Sequence, residues 1–501
     1  MNTVRVRFAP SPTGPLHIGG VRTALYNYLF AKQHNGVFLL RIEDTDQTRF
    51  VPNATNYILE ALQWCGIEPT EGPHKQGAFG PYIQSERKEI YQTYIQQLIK
   101  LGHAYYAFDT TEELESKRAE QKEIGNPNWQ YDAASRNDMR NSITLTDDET
   151  QKLIDSGSPY TIRVKIDPDQ QINFNDLIRG SISVNSNVLD DKVLFKSDGL
   201  PTYHFANIVD DHLMEISHVI RGEEWLPSTA LHTLLYQYFG WTAPEFAHLP
   251  LILKPDGKGK LSKRDGDQLG FPVFPLNWTN PDGEQYPGYR EQGYLPEAFI
   301  NMLAFLGWNP GTEQEIFSIE ELEKTFRLDK VNKSGARFDP EKTKWFQQQH
   351  LKALDNGTIF KSIHEQLPKH IDEDKLTKIC GLFKERVTFT QQIIQEARYF
   401  FETPHKYDDK TVDKKWKTNS KEQLNGLVKL LQEKEEFNAI SLEQYFHAYL
   451  EETGINLGQL MPIFRLALTG AGTGPQIFEV SEILGKEETI SRIKKAIEIL
   501  G

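Results

Sequence analysis

Hydrophobic and polar residues at the start of the chain follow a strand, helix, strand pattern. Val4, Val6 and Phe8 alternate with arginines, and this period of two predicts a strand. Apolar residues recur at helical spacing over residues 21–33, and residues 37–42 form a short apolar run of the kind that is buried in a parallel sheet. The pattern predicts a βαβ unit, which favours an α/β nucleotide-binding architecture.

The rest of the chain divides into segments of different character. Residues 110–187 hold a charged helical stretch and isolated strand-like runs, which indicates an insertion into the sheet. Apolar strand and helix patterns return over residues 195–219 and 225–239, as expected for a second half of the same sheet. Residues 255–294 are rich in glycine and proline, and the chain after residue 329 has the pattern of amphipathic helices.

Composition places the chain among globular proteins. A length of 501 residues, of which 38% are hydrophobic and 25% charged, favours three or four domains of roughly 100–200 residues. No apolar run approaches the roughly 18–20 residues that span a bilayer, and no secretory signal is recognisable, so we expect a cytoplasmic protein without a membrane segment. Cys65 and Cys380 are too few for a disulfide framework or a cysteine-rich zinc site.

Net charge points away from a nucleic-acid partner. The 56 basic and 70 acidic residues give a charge of −14 at neutral pH, and a protein of this charge repels a polyanion at long range. On composition alone, the sequence therefore predicts a partner other than nucleic acid.

A loop rich in proline and glycine at residues 9–20 is the first candidate for chemistry. Gly14 and Gly19 have the spacing of a phosphate-binding P-loop, but the lysine and hydroxyl residue that should follow are missing, which disfavours a P-loop NTPase. His17, Gly19 and Gly20 stand near the predicted start of a helix, where backbone N–H groups and the helix dipole attract phosphate. The alternative is a turn with a purely structural role.

The second candidate is a basic loop at residues 260–264, which has the sequence Lys-Leu-Ser-Lys-Arg and glycines on either side. Lys260 and Lys263 on a mobile loop could close over a triphosphate and neutralise the charge of a leaving pyrophosphate. In isolation the same loop would be a solvated basic turn. Together with the first loop, it favours a nucleotide site.

The two loops resemble the signatures of class I aminoacyl-tRNA synthetases, His-Ile-Gly-His and Lys-Met-Ser-Lys-Ser, at residues 17–20 and 260–264. Five further segments are similar, in the same order, to bacterial glutamyl-tRNA synthetases. They are residues 7–14, 41–46, 80–87, 201–212 and 221–225. Residues 457–470 are similar to the anticodon-binding end of that family, so the resemblance covers nearly the whole chain.

This resemblance implies a fold class and an activity. The fold is an α/β Rossmann-type parallel-sheet catalytic domain with an α+β insertion, followed by an all-helical anticodon-binding region. The activity is ATP-dependent conversion of L-glutamate to glutamyl-adenylate with release of pyrophosphate, then transfer of glutamate to the 3'-terminal ribose of tRNA(Glu) in protein synthesis.

The same resemblance implies a division of the chain into five parts. Residues 1–109 and 191–254 are the two halves of the Rossmann domain, and residues 110–190 are the connecting insertion that binds the acceptor end. Residues 255–329 carry the Lys-Leu-Ser-Lys-Arg loop and stem contacts, and residues 330–501 are the helical anticodon-binding domains. A monomer is the family expectation.

For ATP, the resemblance implies two groups of residues. The phosphates, and with them the catalytic charge stabilisation, are contacted by His17, Lys260 and Lys263. The rest of the nucleotide is contacted by Gly19, Gly20, Glu224, Trp225 and Leu251. We expect Mg²⁺ with the ATP, because it neutralises the triphosphate.

For glutamate, we expect Arg7 to pair with the side-chain carboxylate, because a guanidinium binds a carboxylate bidentately, and Arg221 to be its partner. The alternative for Arg7 is an outward strand residue. Glu43 offers an anion for the ammonium group, and its alternative is a surface carboxylate. Directed hydrogen bonds are expected from Ser11, Tyr203 and Asn207.

The tRNA partner has to bind despite the negative net charge. Lysines and acidic residues balance in residues 401–436, so recognition would rest on local placement and on single-stranded anticodon bases. Arg386, which we expect in a helix, is a candidate for touching an anticodon base, with a solvated helix arginine as the alternative. The resemblance also implies a tRNA contact at Asp44.

One departure from the family concerns metal. Some relatives carry a cysteine-rich zinc site in the insertion, but the corresponding positions hold Ala107, Asp109 and Ser135, so we expect no zinc. A second departure is the segment 267–289, which is longer than expected and has no assigned function.

Other functions remain open. A glutaminyl-tRNA synthetase, or an enzyme that also charges tRNA(Gln) with glutamate, is the nearest alternative, and Arg7 favours glutamate over the neutral amide. A truncated paralogue that glutamylates a modified tRNA base would lack the anticodon region. A non-catalytic descendant would be expected to have lost His17 or Lys263, and both are present.

Overall fold

The computed structural model describes residues 3–262, 265–266 and 270–501. The chain forms two compact units, Met1–Thr343 and Lys344–Gly501. Each unit holds one of the two cysteines in a buried position, Cys65 in the first and Cys380 in the second. No helix of the described part is both long and apolar enough to cross a membrane. The predicted five-part division is finer than these two units and stays a prediction.

A parallel pair of strands begins the first unit, as the alternating pattern predicts. Arg5–Phe8 pairs with Val37–Leu40, and the helix Ile18–Gln33 connects them. The helix begins at Ile18 because His17 caps it: the Nδ1 atom of His17 accepts a hydrogen bond from the Gly19 N–H at 3.2 Å. The predicted βαβ unit is therefore present.

The second half of the sheet has four strands, in the order Gly180–Asn185, Gln171–Asp176, Glu245–Leu249 and His218–Gly222. The first two are antiparallel, and the other neighbours are parallel. Arg5 and Ser217 join the two halves. The Arg5 N–H donates to Ser217 Oγ at 2.8 Å, and the Arg5 carbonyl accepts from the Ser217 N–H at 3.0 Å.

The hairpin of residues 171–185 lies inside the predicted insertion but belongs to the main sheet. The sequence places it in the insertion at 110–190, but Asp176 pairs with Phe246 in the main sheet. A pairing between strands so distant in the chain leaves no local pattern, since it depends on how the two strands meet in the folded sheet.

A separate sheet lies at the predicted insertion. Its three antiparallel strands are Ala104–Ala107, Thr161–Val164 and Val193–Phe195, and only the middle one falls within residues 110–190. The helices Thr111–Glu123 and Asp147–Asp155 lie between the first two strands in sequence. Both helices begin with a capping box, which satisfies the N–H groups of their first turns.

Asp109, one of the positions considered for zinc, uses both carboxylate oxygens inside the protein. It accepts hydrogen bonds from the Tyr131 hydroxyl at 3.0 Å and from the Arg140 N–H at 2.8 Å. Tyr131 packs in a small buried cluster with Tyr105 and Met139. In the described part of the chain, no group of three or more His, Cys, Asp or Glu residues is arranged to hold a metal. The absence of zinc stays a prediction.

The first unit contains further helices and short strands. The helices are Ala54–Trp64, Lys88–Lys100, Tyr203–Leu213, Thr229–Phe239, Pro296–Ala304 and Ile319–Thr325. The short strands are Ile252–Leu253, parallel to Ala336–Arg337, and the antiparallel pair Trp278–Thr279 and Gln285–Tyr286. The last pair lies in the segment 267–289, whose function stays unassigned.

The second unit is helical, as predicted. After the helix Pro340–Ala353, which spans the boundary, its helices are Asn356–Ile363, Glu373–Phe383, Gln392–Glu396, Arg398–Phe401, Asp409–Lys415, Ser420–Glu433, Ala439–Thr453, Leu457–Thr469, Ile477–Leu484 and Lys486–Leu500.

Arg386 is not in a helix, and that part of the prediction is wrong. The helix ends at Phe383, and Arg386 is exposed in the turn that follows. Its N–H donates to the Phe383 carbonyl at 2.8 Å, which is the spacing of a turn rather than of an α-helix. The next residue, Val387, is buried, so the chain turns back towards the core here.

Candidate active site

A cavity of about 250 Å³ opens where the strands Arg5–Phe8 and His218–Gly222 end. Its wall includes the start of the helix Ile18–Gln33 and residues of the helix Tyr203–Leu213. In open α/β sheets, ligands bind at the carboxyl ends of parallel strands. The cavity is therefore the candidate active site.

Ten of the predicted site residues line this cavity. They are Arg7, Ser11, Gly19, Gly20, Glu43, Tyr203, Asn207, Arg221, Glu224 and Trp225. Five others are not part of its wall, namely His17, Asp44, Leu251, Lys260 and Arg386. Lys263 lies outside the described residues.

Arg7 is buried and holds a carboxylate of the protein itself. Its Nε donates to Asp211 Oδ1 at 3.0 Å, and its Nη2 donates to Asp211 Oδ2 at 3.3 Å. Burial alone would raise the pKa of Asp211, but Arg7 and Arg41 outweigh burial and lower this pKa, so Asp211 is an anion. Arg7 lines the cavity with part of its guanidinium already paired, and its contact with the side-chain carboxylate of glutamate stays a prediction.

Glu43 belongs to the same buried group. Arg41 donates from Nη2 to Glu43 Oε1 at 2.9 Å and from Nη1 to Asp211 Oδ1 at 2.8 Å. In the orientation that satisfies both arginines, the Asn207 amide oxygen accepts from Arg7 and Arg41 at 3.3 Å. Burial raises the pKa of Glu43 although the two arginines oppose the shift, so a ligand cation in the cavity would stabilise its anionic form.

Arg221 is a buried cation whose partners are all neutral. Its Nε donates to His248 Nε2 at 3.0 Å, and its Nη2 donates to Thr229 Oγ1 at 2.9 Å. Its Nη1 donates to the Tyr203 hydroxyl at 3.1 Å and to His232 Nδ1 at 3.3 Å. None of its described contacts is with a carboxylate. A buried charge without a counterion favours an anionic group in the cavity that it lines.

Two histidines near Arg221 are neutral. Because Arg221 donates to His232 Nδ1, the ring proton of His232 is on Nε2, which donates to His204 Nδ1 at 3.2 Å. Burial and the nearby Arg221 keep the pKa of His232 well below its ordinary value. Burial lowers the pKa of His204 to about 4. Neither imidazole ring therefore carries a charge beside that of Arg221.

Tyr203 and Trp225 form an aromatic edge of the cavity. Their ring centroids lie 4.2 Å apart, and the rings are tilted by 35°. Trp225 is 39% exposed, whereas a tryptophan near a helix start is usually buried in a core. An exposed aromatic face at a cavity edge can pack against a flat ligand group.

His17 and two glycines form the end of the cavity at the helix start. Because Nδ1 of His17 accepts from the Gly19 N–H, Nε2 is the ring nitrogen that can carry a proton. A Cβ atom at Gly20 would lie 2.5 Å from Leu16 Cδ1, so only glycine fits at position 20 without a shift of Leu16. The first turn places the positive end of the helix dipole at the cavity, which suits a phosphate, while the N–H groups of Ile18, Gly19 and Gly20 already donate to Val273 and His17.

Lys260 contacts the cavity wall through Glu224. Its Nζ donates to Glu224 Oε1 at 2.9 Å. Burial alone would raise the pKa of Glu224, but the hydrogen bond from Lys260 contributes to a net lowering. The neighbouring Glu223 accepts from the Leu251 N–H at 2.8 Å. Glu223 and Glu224 follow the strand His218–Gly222. Their carboxylates are thus both hydrogen-bonded to residues of the segment 251–260.

A second cavity of about 680 Å³ shares four residues with the first. They are Ser11, Glu43, Tyr203 and Trp225. Its other lining residues include the basic Arg49, Arg118, Arg163, Lys192 and Lys196. These five basic residues are scattered along the sequence without a basic run, so only the fold brings them together, and sequence reasoning missed them.

Asp44 is engaged inside the protein. It is buried, and its Oδ1 accepts from the Ser85 N–H at 2.8 Å, next to the 3-10 turn Gln84–Arg87. Asp44 itself lines neither cavity, although its neighbours Glu43 and Thr45 line the second one. Its contact with tRNA stays a prediction.

Two sequence families match the two units. The family described as tRNA synthetases class I (E and Q), catalytic domain, matches residues 3–345, and an anticodon binding domain matches residues 358–497. Together with a cavity at the ends of parallel strands, these matches define a class I tRNA synthetase. Within that class, the chain belongs to the family for glutamate and glutamine, E and Q.

Individual relatives are similar over the whole chain. The glutamate–tRNA ligases of Porphyromonas gingivalis and Parabacteroides distasonis are 55% and 56% identical, with 99% of each chain covered. A crystal structure of a glutamate tRNA ligase from Elizabethkingia meningosepticum in complex with its amino acid is 53% identical, covers both chains completely and has a TM-score of 0.95. A glutamate-tRNA synthetase structure from Elizabethkingia anophelis has a TM-score of 0.92 at 53% identity. The predicted fold class is confirmed.

Proposed function

We propose that the chain is a glutamate–tRNA ligase. It activates L-glutamate with ATP, releases pyrophosphate, and transfers glutamate to the 3'-terminal ribose of tRNA(Glu). Full-length relatives of 54–56% identity with this activity in their names support the reaction. The observation that carries the choice of glutamate is the buried Arg221, whose charge has only neutral partners at the cavity.

Arg221 is the residue that pairs with the side-chain carboxylate of glutamate. Bound glutamate would supply the missing counterion, whereas the amide of glutamine would leave a buried charge uncompensated, which is costly. Arg7 keeps Asp211 and Asn207 in place, so Arg221, which the sequence gives as the partner of Arg7, is the principal ligand of the carboxylate. Glu43 faces the ammonium group of the substrate, because its anionic form gains most from a cation.

Activation needs no protein nucleophile. The α-carboxylate oxygen of glutamate bonds to the α-phosphorus of ATP while the bond from this phosphorus to the pyrophosphate oxygen breaks, so the protein positions the reactants and stabilises charge. His17 and the helix start hold phosphate oxygens, and Lys260 and Lys263 neutralise the leaving pyrophosphate. Mg²⁺ that accompanies ATP would neutralise part of the charge of its phosphates.

The second cavity receives the acceptor end of the tRNA. Its five basic residues can bind phosphates, although Arg49, Lys192 and Lys196 would exchange their ion pairs with the lining Asp46, Asp190 and Asp198 to do so. The residues that it shares with the first cavity bring the terminal ribose next to the activated glutamate. The insertion contributes Arg118 and Arg163 to this surface. The helical unit reads the anticodon, with the exposed Arg386 as a candidate contact. We also propose a cytoplasmic monomer and the five-part domain division described above.

One assay tests the proposal. Purified protein is given glutamate or glutamine with tRNA(Glu) or tRNA(Gln), and the four rates of aminoacylation are compared. We expect glutamate on tRNA(Glu) to be the fastest combination and glutamine to be inactive on both tRNAs. Faster attachment of glutamine would overturn the proposal in favour of a glutaminyl-tRNA synthetase. Glutamate on tRNA(Gln) at a comparable rate would identify an enzyme that charges both tRNAs.

A further inference from the structure

A line of buried side chains leads from Asp176 to Arg221. Asp176 Oδ2 lies 2.6 Å from His248 Nδ1, and His248 Nε2 lies 3.0 Å from Arg221 Nε. His248 and Asp176 are 0% and 1% exposed, and neither lines the cavity. The buried carboxylate of Asp176 would cost free energy without hydrogen-bond partners, and His248 is one of these partners.

The register of the sheet produces this line. Arg221 and His248 are directly opposite each other on neighbouring parallel strands. The adjacent strand ends at Asp176, which is paired with Phe246. Three neighbouring strands therefore present the three side chains at one end of the sheet, which is the end where the cavity opens.

The proton positions along the line follow from the hydrogen bonds. Asp176 Oδ1 accepts from the N–H groups of Ile178 and Arg179 at 3.0 and 2.8 Å, and Oδ2 accepts from the His248 N–H at 3.1 Å. Burial alone would raise the pKa of Asp176, but the hydrogen bonds from His248 and the backbone lower it, so Asp176 is an anion.

An anionic carboxylate only accepts hydrogen bonds, so the proton of His248 is on Nδ1. Burial lowers the pKa of His248 despite the bond to Asp176, and the ring is neutral. Its Nε2 lone pair therefore faces the Nε–H of Arg221 at 3.0 Å, and the Thr229 hydroxyl lies 3.1 Å from the same nitrogen. The opposite tautomer would set an N–H of His248 against that of Arg221, and the two donors would repel.

We propose that Asp176 is a positioning residue for glutamate recognition, which acts through His248 to hold the Arg221 guanidinium towards the cavity. The inference rests on the proposed function, because it gives Arg221 the carboxylate of glutamate as its ligand. Asp176 does not touch the substrate. It selects the tautomer of His248, and this tautomer determines the orientation of the guanidinium.

The central test is Asp176→Asn. An amide at this position turns an NH2 group towards His248, which favours the other tautomer and displaces Arg221. We expect calorimetric titration with L-glutamate to give a Kd that is about tenfold higher or more, as for loss of one charge-assisted hydrogen bond. The Kd for ATP and the kcat for aminoacylation at saturating glutamate should stay at the parent values. A drop in kcat and ATP affinity with unchanged glutamate affinity would overturn the proposal.

Asp191→Asn is the matched control. Asp191 is as buried as Asp176 and also has an arginine near its carboxylate, Arg136 at 3.2 Å, but it lies just before the strand Val193–Phe195 and does not line the first cavity. Its substitution should leave the Kd for glutamate unchanged. Equal weakening of glutamate binding by both substitutions would show a general effect of losing a buried charge, and the proposal would fail.

A double-mutant cycle decides whether Asp176 acts through His248. His248→Gln keeps an oxygen that can accept from Arg221 but has no tautomer for Asp176 to select. Adding Asp176→Asn to this variant should produce no further loss of glutamate affinity, since coupled residues give non-additive effects. Additive losses would show that Asp176 acts by another route.

Three outcomes need a separate interpretation. If Asp176→Asn does not fold, His248→Leu replaces it, and an unchanged Kd for glutamate in that variant contradicts the proposal. If the parent protein binds glutamate normally but no variant changes its affinity, only the positioning role fails. If the parent protein does not bind glutamate at all, the proposed function itself fails.

Discussion

Arg7 and Asp211 form a buried ion pair whose Nε–Oδ1 distance is 3.0 Å, with both side chains almost inaccessible to solvent. Arg7→Ala should therefore reduce stability as well as glutamate binding. Asp211 keeps Arg41 as a partner, so we expect the free energy of unfolding in urea to fall by about 3 kcal/mol, the lower end for a broken buried pair.

The control for this prediction is Arg49→Ala, which removes an exposed ion pair with Asp46 and should cost less than about 1 kcal/mol. An Arg7→Ala protein of parental stability that no longer binds glutamate would instead support direct contact between Arg7 and the substrate.

Arg221→Met should abolish the preference for a carboxylate. Methionine fills much of the same volume without charge, so we expect the Kd for glutamate in calorimetry to rise about a hundredfold or more while ATP binding persists. Arg290→Met removes an exposed arginine that pairs with Glu60 and serves as the control. Normal glutamate binding by Arg221→Met would exclude Arg221 as the carboxylate ligand.

Lys260→Ala should slow activation. The change removes one positive charge near the leaving pyrophosphate, so the rate of ATP–pyrophosphate exchange with tRNA present should fall about a hundredfold. Lys258→Ala in the same exposed loop is the matched control and should exchange at the parent rate. If both variants behave alike, the effect of Lys260 is only a general contribution of the basic loop.

Lys263→Ala tests the second lysine of the signature, which lies outside the described residues. We expect activation to slow by about a hundredfold or more, because the positive charge that neutralises the leaving pyrophosphate is lost. The circular dichroism spectrum and the glutamate affinity should match those of the parent. An unchanged exchange rate would refute a role of Lys263 in catalysis.

His204 should make the protein sensitive to acid. Its pKa is lowered from 6.5 to about 4 in the folded protein, so the folded state binds this proton more weakly than the unfolded state. Its contribution to stability is complete above the unfolded pKa and is lost as the pH falls from 6.5 towards 4. We expect the free energy of unfolding to drop by about 1–3 kcal/mol more in the parent than in His204→Gln over this range. Parallel pH profiles would contradict the assignment.

Local pattern predicted the elements of the fold better than their pairing. The strand at Arg5–Phe8, the following helix and the helical second unit could all be predicted, because periodicity is a property of neighbouring residues. The sequence pattern places the strand Gln171–Asp176 in the insertion. Its pairing with Phe246 could not be predicted, because that pairing depends on the assembled sheet. Arg386 lies in a turn because the chain bends there to bury Val387. That burial depends on tertiary packing, which the local pattern does not show.

The site residues could be predicted as a set but not in their individual roles. Ten of them line one cavity, because the motifs that contain them end strands or begin helices of the same sheet. Nothing in the sequence distinguishes Arg7 from Arg221. The difference is Asp211, which reaches Arg7 from a distant helix and leaves only Arg221 without an anion. The roles of Asp176 and His248 could not be predicted for the same reason, because their contacts join residues that are distant in the sequence.

The two buried cysteines give each compact unit its own chemical reporter. Burial raises the pKa of Cys65 far above its ordinary value and that of Cys380 to about 11, so neither thiol reacts readily while its surroundings stay folded. Alkylation at Cys65 therefore measures opening of the unit with the cavity, and alkylation at Cys380 measures opening of the helical unit. Mass spectrometry of the native sequence can follow both events in one sample, without an introduced label.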